Sequence, residues 1–304
     1  MNILQDRVGN AMPISAADIQ TEMAKRDDFG YELRVGAVIR KLWLQFSDSF
    51  HIEQKTELSH GGTYDDSVTD KPRQFDWRCS LTKGGGERRE QLALAVECKN
   101  LDPESPLVVS AVPRVEGESF HDVVVSKGPG HIDERIGKPL PERSFKLQRV
   151  PSFYRAHDLV GKKAVRIKRD DKGGIRGDSD SDVYDKWAQA IASSVGLVEE
   201  ASQCAPPACR VYSAVLPVVV VPDGSLWVVQ HDKDGKANLP TQMDNCEYFV
   251  GRRISLTEPP NEQFFRFSHF HFFTVKGFEK FLSETANEKR ASVWNKLFPS
   301  SLLL

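Results

Sequence analysis

Two acidic residues and one lysine stand where they could share a metal-dependent reaction. Asp76 lies in the alternating segment Gln74 to Leu81, and Glu97 and Lys99 lie in the alternating segment Gln91 to Asn100. If these segments pair as strands, Asp76 and Glu97 face each other on one side, with Lys99 two residues farther along that side. Two carboxylates this close repel each other unless one has a raised pKa or a cation lies between them.

Hard oxygen ligands of this kind suit magnesium or manganese. We expect the carboxylates of Asp76 and Glu97 and the backbone carbonyl of Cys98 to bind the ion. Lys99 would then orient the attacking water and stabilise the charge that develops on a phosphate. The alternative is a solvent-facing hairpin in which the three charged residues form a weak surface cluster of salt bridges.

The pairing of the two segments can be predicted from their apolar faces. Phe75, Trp77, Cys79 and Leu81 share one face of the first segment, and the glycines at 84 to 86 can turn the chain back. Matching apolar faces about that turn requires paired residue numbers that add to about 173. This register pairs Trp77 with Val96 and sets Asp76 opposite Glu97.

An acidic residue two positions before a lysine is a weak signal by itself, because such triplets begin at Glu53, Glu97, Asp170 and Asp234. The triplet at Glu97 differs from the others, since it ends an apolar strand and has an acidic partner on the predicted neighbouring strand.

The remaining elements are predicted from periodicity, caps and turns. Ser15 and Asp18 predict a capped helix that reaches about Asp27, and a long polar, turn-rich loop is expected from Gly61 to Pro72. Further helices are expected at Tyr31 to Leu44, Asp182 to Val195 and within Phe278 to Leu297. Strands are expected at His51 to Leu58, Leu107 to Val112, His121 to Val125, Cys246 to Val250 and Phe264 to Val275, with a hairpin from Val211 to Val221 and Leu226 to Gln230 that turns at Asp223 and Gly224.

This pattern resembles the PD-(D/E)xK nuclease superfamily, which has the restriction-endonuclease-like fold. The residues that carry the resemblance are Glu32 on an early helix, Arg73-Gln74-Phe75-Asp76 on one strand and Ala95-Val96-Glu97-Cys98-Lys99 on the next. The resemblance implies an α/β fold with helices flanking a central mixed sheet, plus an insertion and C-terminal additions. It also implies Asp76 and Glu97 as metal ligands, Lys99 as the residue that activates water, and Glu32 as an additional ligand. For Glu32 the alternative is an exposed carboxylate favoured by the helix dipole.

The resemblance implies a magnesium-dependent or manganese-dependent nuclease that hydrolyses phosphodiester bonds in DNA, in restriction, repair or defence against phage. A homodimer, or a complex with a partner protein of a defence system, is an expected assembly. One alternative is a protein that keeps the fold without the activity and binds nucleic acid or a partner protein. An enzyme acting on RNA ranks below both, since no ribose-reading motif is evident.

Basic residues are concentrated in one part of a chain whose overall charge is nearly balanced. Of 304 residues, 41 are Lys or Arg and 43 are Asp or Glu, yet residues 127 to 177 contain 14 Lys and Arg against 6 Asp and Glu. Gly173 and Gly174 suggest a mobile loop in this segment that follows a phosphate backbone. A solvated loop that balances an acidic body is the alternative. The candidate phosphate contacts within the segment are Lys162, Lys163, Arg166, Lys168 and Arg169.

Arg114 and Gln189 are further candidate contacts to phosphate, with surface or capping roles as the alternative. The aromatic segment that contains Phe265, His269 and Phe273 could stack on bases, but a core strand is the favoured interpretation. We predict a nuclease-like core at residues 1 to 232, with a basic insertion at about 127 to 177. An accessory region packed on that core is expected at residues 233 to 304.

The composition and the apolar pattern of the chain argue against several other classes of protein. Five cysteines in a chain of this length are typical of reduced thiols, and the nearby histidines lack the spacing of a zinc site. The longest apolar run, Val215 to Val221, is far shorter than the roughly 20 residues that span a bilayer. No signal-peptide pattern is visible from Met1 to Asn10. A cytoplasmic protein without a membrane partner is therefore expected.

Overall fold

The fold is taken from a computed structural model that describes residues 14–25, 27–49, 57–66, 71–102, 104–133, 137–139, 142–170, 172–178, 181–257, 260, 262–286 and 292–303. It is a mixed α/β fold in which helices flank a large mixed sheet. The helices are α1 Ala16–Lys25, α2 Asp28–Ser49, α3 Ser181–Gln203, α4 Val275–Ala286 and α5 Ser292–Leu297, with 3-10 helices at Glu116–Glu118 and Ser300–Leu303. The strands are β1 Glu57–His60, β2 Thr63–Asp66, β3 Lys71–Gln74, β4 Trp77–Gly85, β5 Arg88–Cys98, β6 Leu107–Pro113, β7 His121–Lys127, β8 Ile132–Asp133, β9 Lys138–Pro139, β10 Ser144–Val150, β11 Leu159–Arg169, β12 Ile175–Asp178, β13 Arg210–Val221, β14 Leu226–Gln230, β15 Thr241–Gln242, β16 Asn245–Ser255 and β17 Phe264–Thr274.

The large sheet runs in the order β1, β4, β5, β13, β17, β16, β11, β6, β14, β15, and β7, β10 and β12 join it at its sides. β5 and β13 are parallel, as are β13 and β17, whereas β4 and β5 form an antiparallel hairpin. The C-terminal ends of β5, β13 and β17 therefore lie at one edge of the sheet. In parallel arrangements, such an edge is where ligand-binding side chains commonly gather.

Each face of the sheet buries its own apolar layer. On one face, α2, α4 and α5 share an apolar cluster with residues of β4 and β5 that include Trp77 and Val96. On the other face, α3 packs against Ala93 and Ala95 of β5 and against β13. Side chains alternate along β5, so Glu97 points to the face that α3 covers.

The predicted hairpin register is confirmed. Trp77 pairs with Val96, Cys79 with Leu94, and Leu81 with Leu92. The predicted cap of the first helix is also confirmed, because the backbone N–H of Asp18 donates to Ser15 Oγ and the backbone N–H of Ser15 donates to an Asp18 carboxylate oxygen. Both features depend on contacts that are local in the sequence.

The predicted hairpin between β13 and β14 is wrong, although both strands exist. The turn forms at Gly224, which has a φ of 81°. β14 then pairs with β6 and β15. The reason is that both edges of β13 are already hydrogen-bonded, one to β5 and the other to β7 and β17.

The prediction of a mobile basic loop is also wrong, because most of residues 159 to 178 form β11 and β12. β11 pairs with β6 along most of its length and touches β16 at Gly161. Pairing with these neighbours satisfies the backbone of a strand whose Val165 and Ile167 favour β structure. Gly173, with a φ of 77°, supplies the tight turn between β11 and β12.

In the region before β4, one prediction differs from the structure and another lies partly outside the described residues. The expected loop from Gly61 to Pro72 contains β2 and β3, which pair as a separate two-stranded sheet. Residues 51 to 56 of the expected strand His51 to Leu58 lie outside the described residues, and Glu57 begins β1.

The C-terminal region contributes β16 and β17 to the large sheet, so the boundary predicted at residue 232 falls inside that sheet. The expected core role of the aromatic strand is confirmed, since Phe265, His269 and Phe273 are buried. No helix in the described part of the chain is long and apolar enough to cross a bilayer.

Candidate active site

The hairpin of β4 and β5 brings Asp76 and Glu97 together at its open end. The regular ladder ends at the pair Trp77 and Val96, and the two carboxylates belong to the next residue on each strand. Asp76 is 8% exposed and Glu97 is 0% exposed. The backbone N–H of Cys98 donates to Asp76 Oδ2 at 2.6 Å, which fixes the carboxylate across the end of the ladder.

A lysine from α3 lies between the two carboxylates. Lys186 Nζ donates to Asp76 Oδ1 at 3.2 Å and Oδ2 at 3.0 Å, and to Glu97 Oε2 at 3.0 Å. We refer to Asp76, Glu97 and Lys186 as the acidic site. The sequence predicts a divalent metal ion between the two carboxylates, whereas the cation between them in the described structure is Lys186, a side chain that sequence reasoning did not select.

Arg78 anchors the helix that carries Lys186. Its guanidinium donates to Ser193 Oγ at 3.0 Å and to the Ser193 carbonyl at 2.7 Å. Arg78 belongs to β4 and Ser193 belongs to α3, so these bonds hold the helix against the strand that follows Asp76. Tyr64 of β2 adds a bond from its hydroxyl to the carbonyl of Gln189 at 3.3 Å.

Burial and the closeness of two carboxylates shift the pKa values of the acidic site. Burial and then the neighbouring Asp76 carboxylate raise the pKa of Glu97, Lys186 opposes both, and the result is a pKa of about 8. Burial lowers the pKa of Lys186, but Glu97 and Asp76 outweigh it and hold that pKa above its ordinary value. Among the described residues, Glu97 Oε1 is buried without a hydrogen-bond partner. A proton shared with Asp76 or a second cation would satisfy this oxygen.

Glu32 lies near the acidic site on the first turns of α2. Burial and then the Asp76 carboxylate raise its pKa, Lys186 opposes them, and the result is a pKa of about 7. Trp77 Nε1 donates to the Glu32 carbonyl at 3.1 Å, and His60 Nε2 lies 3.7 Å from Glu32 Oε2. Within the described residues, no group of three His, Cys, Asp or Glu could hold a metal ion, so Glu32 does not complete a three-residue ligand set with Asp76 and Glu97.

Lys99 follows directly after β5 and is half-buried. Its backbone N–H donates to the Val220 carbonyl at 2.9 Å and extends the pairing of β5 with β13. Cys98, predicted to offer its carbonyl to a metal, contributes its backbone N–H to Asp76 and buries its thiol. Lys186, by contrast, bonds both carboxylates.

A signal for Lys186 was present in the sequence. Val183 and Ala190 of α3 are buried against the sheet, and Lys186 lies between them at helical spacing. A lysine on the core-facing stripe of an amphipathic helix is seldom buried unless it is paired. That position therefore indicates a buried acidic partner, although it does not identify the partner.

The residues predicted to contact phosphate have different environments. Lys162, Lys163 and Arg169 are exposed on β11, and Arg166 and Lys168 are half-buried. Lys162 Nζ is bonded to Glu118 and lies 4.5 Å from the centre of the Phe249 ring. β11 is four strand positions from β5 in the sheet, which corresponds to roughly 19 Å.

Arg114 is enclosed in the core, where it is 1% exposed. Its guanidinium donates to Glu247, to His269 Nε2 at 3.1 Å and to the Arg155 carbonyl at 2.7 Å. All three of its nitrogens thus have partners within the protein. This arrangement leaves no guanidinium edge for a phosphate and corrects the role predicted for Arg114.

Comparison with protein-family models, with curated proteins and with solved structures gives no match for this chain.

Proposed function

We propose that this protein is a nuclease dependent on magnesium or manganese that hydrolyses phosphodiester bonds of DNA on a restriction-endonuclease-like core. One observation carries the proposal. The ammonium of Lys186 lies 3.0 to 3.2 Å from oxygens of two carboxylates, Asp76 and Glu97, at an edge of the sheet. This combination of hard oxygen donors and a cation suits hydrolysis of a phosphate ester.

The donor set fits a hard divalent cation. Magnesium is commonly bound by one or two carboxylates plus water and substrate phosphate, so two carboxylates are sufficient. The buried Oε1 of Glu97, which has no partner among the described residues, offers one coordination position. Asp76 and Glu97 would hold the ion, which when bound would activate water and neutralise charge on the phosphate.

The chain's own groups would carry out three tasks. Asp76 and Glu97 would concentrate negative charge where the ion is needed, and the N–H of Cys98 would keep the Asp76 carboxylate in place. Lys186 would place positive charge beside both carboxylates, where it stabilises the charge that develops on a bound phosphate. In-line attack by water would break the bond from phosphorus to the 3′-oxygen. The resemblance implies products that carry a 5′-phosphate and a 3′-hydroxyl.

A second candidate is a protein that keeps the nuclease fold but only binds nucleic acid or a partner protein. The observation that favours it is the ammonium of Lys186, which already bridges both carboxylates and partly neutralises them without a metal. This candidate predicts salt-sensitive DNA binding through the basic strand β11, with no dependence on magnesium and no cleaved product.

The test compares plasmid DNA and single-stranded DNA, incubated with magnesium, with manganese or with a chelator. We expect cleavage with either metal and none in chelator. We expect Asp76→Asn to abolish cleavage while the far-ultraviolet circular dichroism spectrum stays unchanged. Glu200→Gln is a matched control, since Glu200 is a carboxylate with its side chain 65% exposed. Cleavage that persists in chelator, or full activity of Asp76→Asn, would rule this mechanism out.

The biological setting follows from the same proposal. A DNA-cleaving enzyme in restriction, repair or phage defence would act in the cytoplasm, and cutting both strands would require two active sites. A homodimer or a complex with a partner protein of a defence system would supply the second site. Analytical ultracentrifugation with and without DNA tests this assembly.

A further inference from the structure

A groove of about 380 Å³ runs along α3, beside the acidic site. Its walls come from α3, from β16 and from the hairpin of β2 and β3. We call it the α3 groove. Its volume is within the range of small-molecule sites, roughly 300 to 1,000 Å³, and is large enough for a single nucleotide base.

Two aromatic side chains of α3 give the groove a preformed wall. Trp187 stacks on Phe270 of the sheet with ring centroids 5.5 Å apart and an interplanar angle of 7°. Tyr184 meets Trp187 edge-on at 4.6 Å and is 59% exposed. The exposed ring is therefore held in place before any ligand arrives, which lowers the entropic cost of stacking a flat ring against it.

The charges of the lining select for an uncharged ring. Two acids, Asp66 and Asp185, and two bases, Arg73 and Arg252, line the groove, so it has no net charge. Asp66 is already paired with Arg73 at 2.9 Å. Because the groove has no excess of positive charge, we do not expect it to bind the phosphate. Its apolar walls and polar edges instead match a nucleobase, which combines a flat face with hydrogen-bonding edges.

The groove adjoins the acidic site through three elements. Gln189, in the groove lining, is three residues from Lys186 on α3, a rise of about 4.5 Å along the helix axis. Arg73 of β3, which also lines the groove, is three residues before Asp76 in the sequence. Tyr64 connects these elements, since its hydroxyl donates to the Gln189 carbonyl. Burial is the main cause that raises the pKa of Tyr64, and the charges of Glu97 and Asp66 are the next causes, so Tyr64 lies near both the acidic site and the groove.

We propose that the α3 groove binds one unpaired nucleotide base next to the phosphate held at the acidic site. The substrate would then be single-stranded DNA, or DNA with an unpaired nucleotide at the point of cleavage. This inference rests on the proposed function for the position of the phosphate. The stacking itself is a binding property that can be measured without cleavage.

The test measures fluorescence anisotropy of labelled oligonucleotides with the full chain in chelator. The probes are a single strand, the fully paired duplex, and single strands with one abasic site placed at successive positions. We expect Tyr184→Ala to weaken single-strand binding by about 5- to 150-fold, which is the usual contribution of one base stacked on an aromatic side chain. We expect the duplex affinity to be unchanged. One abasic position should cause a similar loss in the wild type and no further loss in Tyr184→Ala.

The controls separate stacking from loss of structure. Tyr184→Phe retains the ring and should bind the single strand as the wild type does. Leu239→Ala changes a side chain that is 89% exposed and is not part of the groove lining, so its affinity should also be unchanged. Wild-type affinity of Tyr184→Ala, an equal loss for single strand and duplex, or an abasic scan without effect would each overturn the inference.

The outcome is independent of the cleavage test. A protein that shows the Tyr184 effect but cuts no DNA with magnesium would support the groove and contradict the proposed enzyme activity. A protein that cuts DNA but is indifferent to Tyr184 would support the enzyme and contradict the groove.

Discussion

Two clusters of charged side chains lie against the same large sheet, and their charges are balanced differently. The acidic site combines two carboxylates with the single ammonium of Lys186. The second cluster, which we call the Arg114 cluster, consists of Arg114, Glu247 and His269. It pairs one guanidinium with one carboxylate, and burial followed by the charge of Arg114 lowers the pKa of His269 to about 2, so the imidazole is neutral.

The two clusters also differ in how completely their polar atoms are satisfied. The three nitrogens of Arg114 have partners, and Tyr154, whose ring lies 5.4 Å from the guanidinium, bonds His271 Nε2 at 2.7 Å. In the acidic site, Glu97 Oε1 is buried without a partner among the described residues. Balanced, satisfied charge is typical of a structural cluster, whereas excess charge and an unpaired acceptor are typical of a site that binds something.

Removal of the guanidinium tests the structural interpretation and has the largest expected effect. Arg114→Met removes a fully buried guanidinium and leaves Glu247, whose side chain is 24% exposed, without its cation. Breaking a buried ion pair typically costs about 3–5 kcal/mol in the free energy of unfolding. Urea denaturation monitored by circular dichroism measures this loss. Arg34→Met is a matched control, because Arg34 pairs with Asp27 and both side chains are more than half exposed, at 61% and 51%. Equal stability of Arg114→Met and the wild type would contradict a structural role for the cluster.

Removal of the ammonium tests the functional interpretation of the acidic site. We expect Lys186→Met to lower the cleavage rate by about 100- to 1,000-fold, the usual effect of losing one preorganised charge-stabilising group. Loss of stability should be smaller than for Arg114→Met, because a raised pKa lets Glu97 take up a proton when the cation is absent. Single-turnover rates on a labelled oligonucleotide measure the effect.

Lys99→Met, measured in parallel, compares Lys99, which the sequence pattern selects, with Lys186, which bonds both carboxylates. The sequence pattern predicts that Lys99 is essential, and the contacts of Lys186 predict that Lys186 is. Full activity of Lys186→Met together with an inactive Lys99→Met would return the catalytic role to Lys99.

The part of the site that follows from local sequence could be predicted, and the part that depends on distant packing could not. The alternation of β4 and β5 and the glycine turn determine which residues pair, because the two strands are adjacent in the chain. Lys186 is 110 residues from Asp76, and its position depends on how α3 packs on the sheet. Helical spacing places Lys186 on the buried face, but no local rule connects that face to this hairpin.

The errors in the predicted fold have the same origin. Val211 to Val221 and Leu226 to Gln230 have the alternation and turn of a hairpin, yet the neighbours that already pair with β13 direct β14 to β6. Residues 162 to 176 have charges and glycines typical of a loop, yet most of those that the structure describes belong to β11, which pairs with β6, and to β12, which pairs with β11. Local propensity is a weak guide wherever the available edge of a sheet decides the pairing.

The pH dependence of stability gives the finest comparison, because Glu97 of the acidic site and His269 of the Arg114 cluster act in opposite directions. Burial and then Asp76 raise the pKa of Glu97 to about 8, so folding takes up a proton between about pH 4.5 and 8 and stability falls as pH rises through that range. Burial and then Arg114 lower the pKa of His269 to about 2, so the unfolded chain takes up the proton and stability falls as pH drops below about 6.5.

Glu97→Gln removes only the first effect, because glutamine does not titrate. Relative to the wild type, we expect this variant to gain stability as pH rises from 5 to 8, by at most about 1.4 kcal/mol per pH unit, the limit for one proton. Glu32, with a pKa raised by burial to about 7, acts in the same direction but is present in both proteins and cancels in the difference. Urea denaturation across this pH range, with Glu200→Gln as the control, measures the divergence. Parallel curves for Glu97→Gln and the wild type would show that Glu97 is ionised throughout, and the acidic site would then resemble the Arg114 cluster in its balance of charge.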